Sequence, residues 1–253
     1  MFRKQVAKKK YKDHIIWRGQ EVTRIEAFSD AVFAFAVTLL IVSLEVPHDY
    51  EELMDNLKFF VPFGLSFLIM FTIWYRQNIF FRRYGLHDIK TVALNGLLLF
   101  LVLVYMFPLK FLFGALFGQK FHFQNTGQLS TIFSLYCGGF GAFYLLFGLM
   151  YMNAYAQRDH IRLSEVEAFQ TKTHAYTNMI VAGISLLAVG VAFSGGYGAY
   201  FAGWTFFLVW PFTALIERKR KKKFNLRFGD ITAPEVLHQM HANHIEQDAE
   251  MKN

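Results

Sequence analysis

The sequence has few of the residues on which cysteine chemistry depends, and few charges for its length. Cys137 is the one cysteine among 253 residues, so neither an intrachain disulfide nor a metal site built from several thiolates can form. Only 18% of the residues are charged, whereas 54% are hydrophobic. Because about a quarter of the residues in a typical soluble domain are charged, this composition predicts a chain that lies in a lipid bilayer.

Several motifs of well-known chemistry are also missing. The sequence has no P-loop, no HExxH zinc motif and no Ser/His/Asp cluster, so we expect no enzymatic activity, no metal site and no cofactor. It also lacks a TVGYG-type filter loop and a helix with arginine at every third position. We expect no nucleic-acid partner, because the net charge of +7 comes from short basic segments between apolar runs.

Six apolar stretches are long enough to cross the hydrocarbon core as helices, which takes roughly 20 residues each. They lie at about residues 27–46, 59–77, 92–110, 129–155, 176–193 and 200–216. The end of the third stretch is open: Lys110 either snorkels to the headgroups or lies in a long tilted helix that continues to Phe117. We therefore predict an all-α, polytopic membrane protein in which residues 1–218 form one six-span domain and residues 219–253 form a basic and then polar tail.

Lysine and arginine are concentrated in alternate connections between these spans. The N-terminal segment, the second and fourth connections and the tail are rich in both residues, whereas the other connections have few. The positive-inside rule therefore predicts that both termini lie in the cytoplasm, for a protein of the cell (plasma) membrane. The basic run Arg218–Lys223 directly follows the last span, where it anchors the topology and can attract anionic lipids.

Three histidines recur in the polar tail, at His238, His241 and His244. Their spacing would suit a two-ligand metal site on a helix, but a solvated tail is the simpler interpretation.

The first span holds the most informative polar residues. Ser29 and Asp30 lie near its inner end, Thr38 lies near its middle, and Glu45 lies at its outer end. Steps of four and three place six of its residues on one stripe of a helix: Ala27, Ala31, Ala34, Thr38, Ile41 and Glu45. Copies of this stripe around a symmetry axis would form a wide inner vestibule, a neck with a hydroxyl and an apolar group, and an acidic outer ring that favours cations.

Structural explanations of the same residues stay open. Small residues allow helices to pack closely, and the Thr38 hydroxyl can bond to its own backbone. Glu45 stands close to Pro47 and suits a solvated helix end. Asp30 lies a turn deeper than the membrane interface, so its carboxylate needs a donor, which is either Arg24 or a polar group on another helix.

Polar and small residues in other spans predict contacts between helices. We expect Asn95 in the third span and Ser134 in the fourth to be hydrogen-bond partners of neighbouring helices. Gly138-Gly139 with Gly141, and Gly148, are expected to let helices approach closely.

The run Arg24-x-x-x-Phe28-Ser29-Asp30, at the start of the first of six spans, resembles the signature of the prokaryotic transmembrane protein 175 family of potassium channels. The six-span layout and the short acidic connection after a proline-terminated first span are also similar to this family. So is Trp74, which is followed by polar and basic residues at the end of the second span.

The sequence departs from the family at one point. Family members often have a histidine shortly after this tryptophan, whereas Gln77 and Asn78 stand there in this chain. A contact from that histidine to the signature residues therefore has no direct counterpart here.

The resemblance implies a homotetrameric, potassium-selective leak channel without a voltage sensor, whose pore is lined by the first helix and passes K+ and other monovalent cations. In the family, apolar side chains on this helix form the constriction, with a hydroxyl nearby. The candidates on this sequence are Thr38 and Ile41, with Phe35 and Val42 as the alternatives if the helix is rotated. The resemblance also implies that the signature residues tie the first helix to its neighbours without touching the ion.

A proton-coupled secondary transporter is the alternative function, with Asp30 and Glu45 as proton carriers. An inverted repeat would support it, but the internal similarity is confined to the three residues Glu-Ala-Phe, at 26–28 and again at 167–169. A non-conducting membrane protein that binds lipids is a third class, which would explain the basic tail but not the polar stripe.

Overall fold

A computed structural model describes residues 17–19, 21–42, 48–50, 54, 57, 60–116, 126–194 and 198–228. Within these residues the regular elements are helices, which confirms the all-α prediction for this part of the chain. The α-helices are α1 Arg24–Val42, α2 Phe60–Tyr84, α3 Ile89–Leu116, α4 Thr126–Ala156, α5 Glu165–Ala192, α6 Gly198–Ala202 and α7 Val209–Phe228.

Three of these helices begin at side chains that accept free backbone N–H groups. At the start of α1, the Glu26 N–H donates to Thr23 Oγ1 at 3.4 Å and the Thr23 N–H donates to Glu26 Oε1 at 3.3 Å. Ser164 and Glu167 form the same reciprocal capping box at the start of α5. Asp88 accepts backbone N–H groups from the first turn of α3. These polar residues fix where each helix begins.

Two helices are longer than the spans predicted for them. α2 continues past Gln77 to Tyr84, and α5 begins at Glu165, well before the predicted start at Tyr176. Hydropathy marked only the apolar part of each helix, which is the N-terminal part of α2 and the C-terminal part of α5, whereas the additional turns are held by packing and capping. Phe80 and Phe81, for example, are almost fully buried against the rest of the chain.

α3 passes through Pro108 and ends at Leu116. The helix is therefore the longer of the two forms considered for the third span. Proline cannot donate a backbone hydrogen bond, but the Tyr136 hydroxyl of α4 donates to the Pro108 carbonyl at 2.7 Å and ties this part of α3 to its neighbour.

The sixth predicted span is not one continuous α-helix. α6 ends at Ala202, a 3-10 helix follows over Gly203–Leu208, and α7 begins at Val209. The prediction of a single helix over residues 200–216 was therefore wrong. Glycine, threonine and aromatic residues are weak helix formers, and Pro211 cannot donate to the carbonyl one turn earlier.

α7 then continues through the basic run Arg218–Lys223 to Phe228. Lysine and arginine favour helices, which accounts for this extension. The boundary predicted between residues 218 and 219 thus lies inside a helix.

The core is built mainly from the inner faces of α2, α3 and α4. Its largest fully buried side chains include Phe80 and Tyr84 of α2, Leu98 of α3, and Phe147 and Met150 of α4. α4 and α5 form the most extensive helix pair.

Three of the four predicted glycines bring α4 close to its neighbours. Gly138 does not, since a Cβ added there would lie 3.9 Å from Val189 Cγ2, an ordinary contact. A Cβ added at Gly141 would lie 2.7 Å from Ser185 Cβ of α5, and one added at Gly148 would lie 2.8 Å from Met179 Cε. At Gly139 an added Cβ would overlap the ring of Tyr105 on α3.

The prediction that Ser134 bonds to a neighbouring helix was wrong: its Oγ is buried and has no hydrogen-bond partner in the described part of the chain.

Large apolar side chains also cover much of the outside. On α3, Leu97, Phe100, Val104 and Phe107 are all at least half exposed and recur at helical spacing. Within the described residues, three helical stretches are long and apolar enough to cross a membrane, namely Ile89–Leu109, Ser130–Ala156 and Glu165–Ala192. Exposed apolar faces of this kind suit a hydrocarbon environment.

Candidate functional site

α1 has two clearly different faces. Glu26, Ser29, Phe33, Ala36 and Leu40 are buried against the rest of the chain and recur at steps of three and four. The residues of the predicted stripe that the structure describes are all exposed in the single chain: Ala27, Ala31, Ala34, Thr38 and Ile41. We call this exposed set the α1 stripe.

The packing of the buried face limits how α1 can be rotated. With 3.6 residues per turn, the direction opposite the buried face passes close to Ala31 and Thr38. Ile41, which is 51% exposed, lies to one side of that direction, and Phe35, which is 57% exposed, lies to the other. Thr38, together with Arg24 at the start of the helix, is therefore the polar side chain that faces most directly away from the body of the subunit.

The Thr38 hydroxyl bonds to its own helix. Its Oγ1 donates to the Ala34 carbonyl at 2.9 Å. This is the backbone bond considered above as a structural explanation. The hydroxyl oxygen can still contact a cation, because the proton points back into the helix and the oxygen lone pairs are left to face outward.

A buried polar chain joins α1 to α2 and α3. Gln77 Nε2 on α2 donates to Asn95 Oδ1 on α3 at 2.6 Å, and Asn95 Nδ2 donates to Ser29 Oγ at 3.0 Å. Ser29 Oγ in turn donates to the Ile25 carbonyl at 2.7 Å. Gln77, Asn95 and Ser29 are each at least 98% buried. We call these three residues the polar bridge; it confirms that Asn95 is an interhelix partner.

Asp30 is bonded to a neighbouring helix, and its donor is a polar group on α2. Trp74 Nε1 donates to Asp30 Oδ1 at 2.6 Å. Of the two donors predicted from the sequence, the group on another helix was the right one and Arg24 was not. Arg24 opens α1 with an exposed side chain, and Phe28 is 63% exposed. Ser29 and Asp30 thus bind within the subunit, whereas Arg24 and Phe28 face outward.

The segment just before α1 is held by an ion pair. Arg18 Nη1 and Nη2 donate to the two carboxylate oxygens of Glu167 at 3.0 and 2.8 Å. Arg18 also donates to the carbonyls of Ile161 at 2.7 Å and Arg162 at 2.9 Å. The side chains of Arg18 and Glu167 are only 14% and 3% exposed. The Gly19 N–H completes the attachment by donating to the Arg82 carbonyl at 3.0 Å.

This clamp, formed by Arg18 and Glu167, was not predicted from the sequence. In the sequence, Arg18 is one of the basic residues of the N-terminal segment that the positive-inside rule assigns to the cytoplasm. The available signal was the box Ser164-x-x-Glu167, which predicts a helix start but not the partner of its carboxylate.

Asp88 joins the start of α3 to the end of α4. It accepts hydrogen bonds from the Thr91 hydroxyl at 2.6 Å and from Asn153 Nδ2 at 3.1 and 3.2 Å. Partial burial acts to raise the pKa of this carboxyl, but hydrogen bonds from Thr91, Gln157 and Asn153 outweigh it and lower the pKa to about 2.

Some predicted residues fall outside the described part of the chain. Glu45 and the tail histidines His238, His241 and His244 are among them, as is the side chain of Val42. Within the described residues, no group of three or more His, Cys, Asp or Glu side chains could hold a metal ion.

Comparison with known proteins gives consistent matches. Residues 24–108 match the family described as the endosomal/lysosomal potassium channel TMEM175. A potassium channel of Marivirga tractuosa is 35% identical over 224 residues, which cover 82% of this chain and 91% of that protein. A potassium channel of Chamaesiphon minutus is 33% identical over 182 residues, which cover 69% of this chain and 84% of that protein.

A solved structure matches over a similar range. It is the crystal structure of a variant of the potassium channel MtTMEM175 in complex with a nanobody–MBP fusion protein. The match covers 82% of this chain and 97% of that chain, with 33% sequence identity and a TM-score of 0.74.

Proposed function

This chain belongs to the TMEM175 family of potassium channels, and we propose that four copies of it surround a potassium-conducting pore lined by α1. It is a multi-pass membrane protein and a potassium channel, not an enzyme, and K+ is its permeant ion. The tetramer and the identity of the pore helix are our proposal.

The α1 stripe is the observation that supports this arrangement. Its residues are exposed in the single chain, and they are smaller and more polar than the residues on the exposed face of α3. A face made of Ala27, Ala31, Ala34 and Thr38 offers little apolar area to lipid. Around a fourfold axis, the three alanines would line a wide inner vestibule.

The narrow part of this pore would begin at Thr38. Potassium must exchange part of its hydration shell for protein oxygens in order to be selected. Four Thr38 hydroxyls, whose lone pairs face outward because their protons bond to Ala34, have the polarity that a cation requires. We propose that they are the selective element.

An apolar ring one turn further out would act as the gate. Hydrophobic side chains do not replace hydration, and a narrow ring of them closes a pore by dewetting. We propose Ile41 for this ring, with Phe35 and Val42 as the alternatives if α1 is rotated in the tetramer. Glu45 would then form an acidic outer mouth.

The polar bridge and the Trp74–Asp30 bond would hold α1 in place. They act at the inner half of the helix, away from Thr38 and Ile41, so the signature residues would position the pore helix without touching the ion. Gln77 would replace the family's histidine here, since it reaches Ser29 through Asn95.

The same proposal includes six spans, with both termini in the cytoplasm of a cell whose plasma membrane holds the channel. Residues 1–218 would form the channel domain and residues 219–253 the tail. The basic run Arg218–Lys223 would lie at the cytoplasmic membrane surface, where part of it can contact anionic lipids, and other monovalent cations would permeate less well than K+.

A Thr38→Ala variant tests the selective element. The purified channel is placed in planar bilayers under a potassium/sodium gradient, and the reversal potential is measured. We expect the reversal potential of Thr38→Ala to move toward zero, because the hydroxyl oxygens are lost while the helix keeps its packing. Thr72→Ala is the matched control, since Thr72 is also exposed and bonds back to its own helix, through Leu68.

An unchanged reversal potential in Thr38→Ala would refute the role of Thr38 in selectivity.

Native mass spectrometry of the detergent-solubilised protein tests the assembly separately. A mass of four chains is expected, and a stable monomer or dimer that still conducts would contradict the fourfold pore.

A further inference from the structure

A groove of about 820 Å³ lies between the turn after α4, the first turns of α5 and the basic end of α7. Its lining has four cationic side chains and two carboxylates, namely Arg158, Lys172, Arg220, Lys223, Asp159 and Glu165. The cations come from three separate segments of the chain, so the fold itself brings them together. We call this site the basic groove.

Aromatic rings lie beside three of these cations, and the first of them, Arg158, is 5.1 Å from the ring centroid of Tyr155. Arg220 lies 4.5 Å from the ring centroid of Phe169, and its Nε donates to Thr173 Oγ1. Lys172 Nζ lies 5.2 Å from the ring of Tyr155 and 5.9 Å from that of Tyr176. Cation–π contacts of this kind orient a positive group without neutralising it.

The balance of charge in the groove is positive. Arg158 pairs with Asp159 at 3.4 Å, and both side chains are substantially exposed. Lys172, Arg220 and Lys223 then outnumber Glu165, the remaining carboxylate of the lining. Lys219 and Lys222 belong to the same basic run of α7 but are exposed and do not line the groove.

Apolar side chains lie beside these charges. Leu163, Ala168 and Leu226 line the same groove. Tyr155 and Tyr176 stand at the ends of the predicted fourth and fifth spans, which is where the headgroups of the bilayer begin. The site therefore offers positive charge, ring edges and apolar surface at headgroup depth.

We propose that the basic groove binds the phosphate of an anionic lipid headgroup. Phosphate is recognised by clustered arginine and lysine, and basic pockets between spans at the membrane surface suit anionic headgroups. The apolar lining favours a lipid over a free phosphate, because an acyl chain or glycerol backbone would cover it. The site lies apart from α1 and is separate from ion conduction.

Lipid binding by the full-length protein tests this. The protein is purified in neutral detergent, and native mass spectrometry follows the titration of phosphatidylglycerol and of phosphatidylcholine. Lys172→Gln/Lys223→Gln removes two charges from the groove, and Lys219→Gln/Lys222→Gln removes two charges from the same run outside it.

We expect a preference for phosphatidylglycerol that falls about tenfold or more in the groove variant and less than about threefold in the control, because each lysine near a headgroup contributes roughly fivefold. Equal losses in the two double variants would overturn the proposal, since the whole basic run would then be acting as a diffuse charge. No preference for phosphatidylglycerol over phosphatidylcholine would overturn it too. Thermal unfolding of each variant verifies folding, and Lys223→Glu alone, at an exposed position, is the substitute if the double variant unfolds.

A soluble competitor assigns the source of the phosphate. Glycerol phosphate is added at increasing concentration to the wild type and to the groove variant. Retention of phosphatidylglycerol at millimolar competitor supports a lipid site. Displacement at micromolar concentration, lost in the groove variant, would assign the same phosphate chemistry to a soluble ligand instead.

Discussion

Loss of Arg18 is expected to destabilise the protein strongly, because it removes the guanidinium that pairs with a buried carboxylate. Arg18 donates two bonds to Glu167, whose side chain is 3% exposed, and two more to backbone carbonyls. In Arg18→Met the aliphatic length is kept and the charge is lost. Glu167 then retains the Ser164 N–H, at 3.0 Å, as a donor.

The magnitude follows from the cost of breaking a buried ion pair. Breaking a buried ion pair by removing one partner costs about 3–5 kcal/mol. Since the Arg18 side chain is 14% exposed and water can reach the site, we take about 3 kcal/mol for Arg18→Met. Glu167→Gln leaves Arg18 partly hydrated and still bonded to the Ile161 and Arg162 carbonyls, so we expect the free energy of unfolding to fall by only about 1–2 kcal/mol. The double variant should resemble Glu167→Gln alone, because it has no buried carboxylate.

Thermal unfolding in neutral detergent, followed by tryptophan fluorescence, measures these effects. In a chain of this size about 1 kcal/mol shifts Tm by roughly 2–4 °C, so Arg18→Met should lower Tm by roughly 6–12 °C. Arg82→Met is the matched control: Arg82 contacts the same segment by stacking on Trp17 at 4.9 Å but is exposed. Arg82→Met should lower the free energy of unfolding by about 1 kcal/mol or less. Additive losses in the double variant would refute the reasoning, since they would mean that the two side chains act independently.

Three further predictions concern the contacts around α1 and α3. Gln77→Leu should lower the free energy of unfolding by about 1–2 kcal/mol, because the buried Asn95 oxygen loses its donor. An unchanged Tm would contradict this. Trp74→Phe should cost less, about 0.5–1 kcal/mol, because Asp30 is exposed, and a larger loss than in Gln77→Leu would reverse this order. Folding lowers the Asp88 pKa from 3.8 to about 2, so the stability it adds is present above pH 3.8 and disappears as pH falls to about 2. Asp88→Asn should thus lower Tm modestly at pH 7, and Tm measured against pH should show the difference closing over that interval.

The α1 stripe could be predicted from the sequence because helical spacing alone determines it. Residues 27, 31, 34, 38 and 41 must share a face of any helix that contains them, and the structure leaves that face exposed. Spacing could not decide which neighbours cover the opposite face. That depends on how α2 and α3 fold back against α1.

The polar bridge could be predicted only in part. A polar group in an apolar run needs a partner, so Asn95 indicated a contact between helices. The identity of its partners, Gln77 and Ser29, could not be read from the chain, because they lie 18 and 66 residues away. Ser134, which gave the same signal, has no partner in the described part of the fold.

The glutamate of the repeated Glu-Ala-Phe has a local explanation. Glu26 and Glu167 are both the third helical residues of a capping box, with Thr23 and Ser164 as the capping residues. Two helices that begin with the same capping chemistry share this glutamate without any inverted repeat, which leaves only Ala-Phe as an unexplained match. The internal similarity therefore gives no support to a transporter architecture.

The central claim is that this chain conducts potassium passively, and the most direct test is the reversal potential of the purified wild-type protein in planar bilayers. A potassium/sodium gradient is imposed without any proton gradient. We expect a steady current that reverses near the potassium equilibrium potential. No passive current, with potassium uptake into liposomes only when a proton gradient is imposed, would contradict it and assign the protein to the proton-coupled transporters.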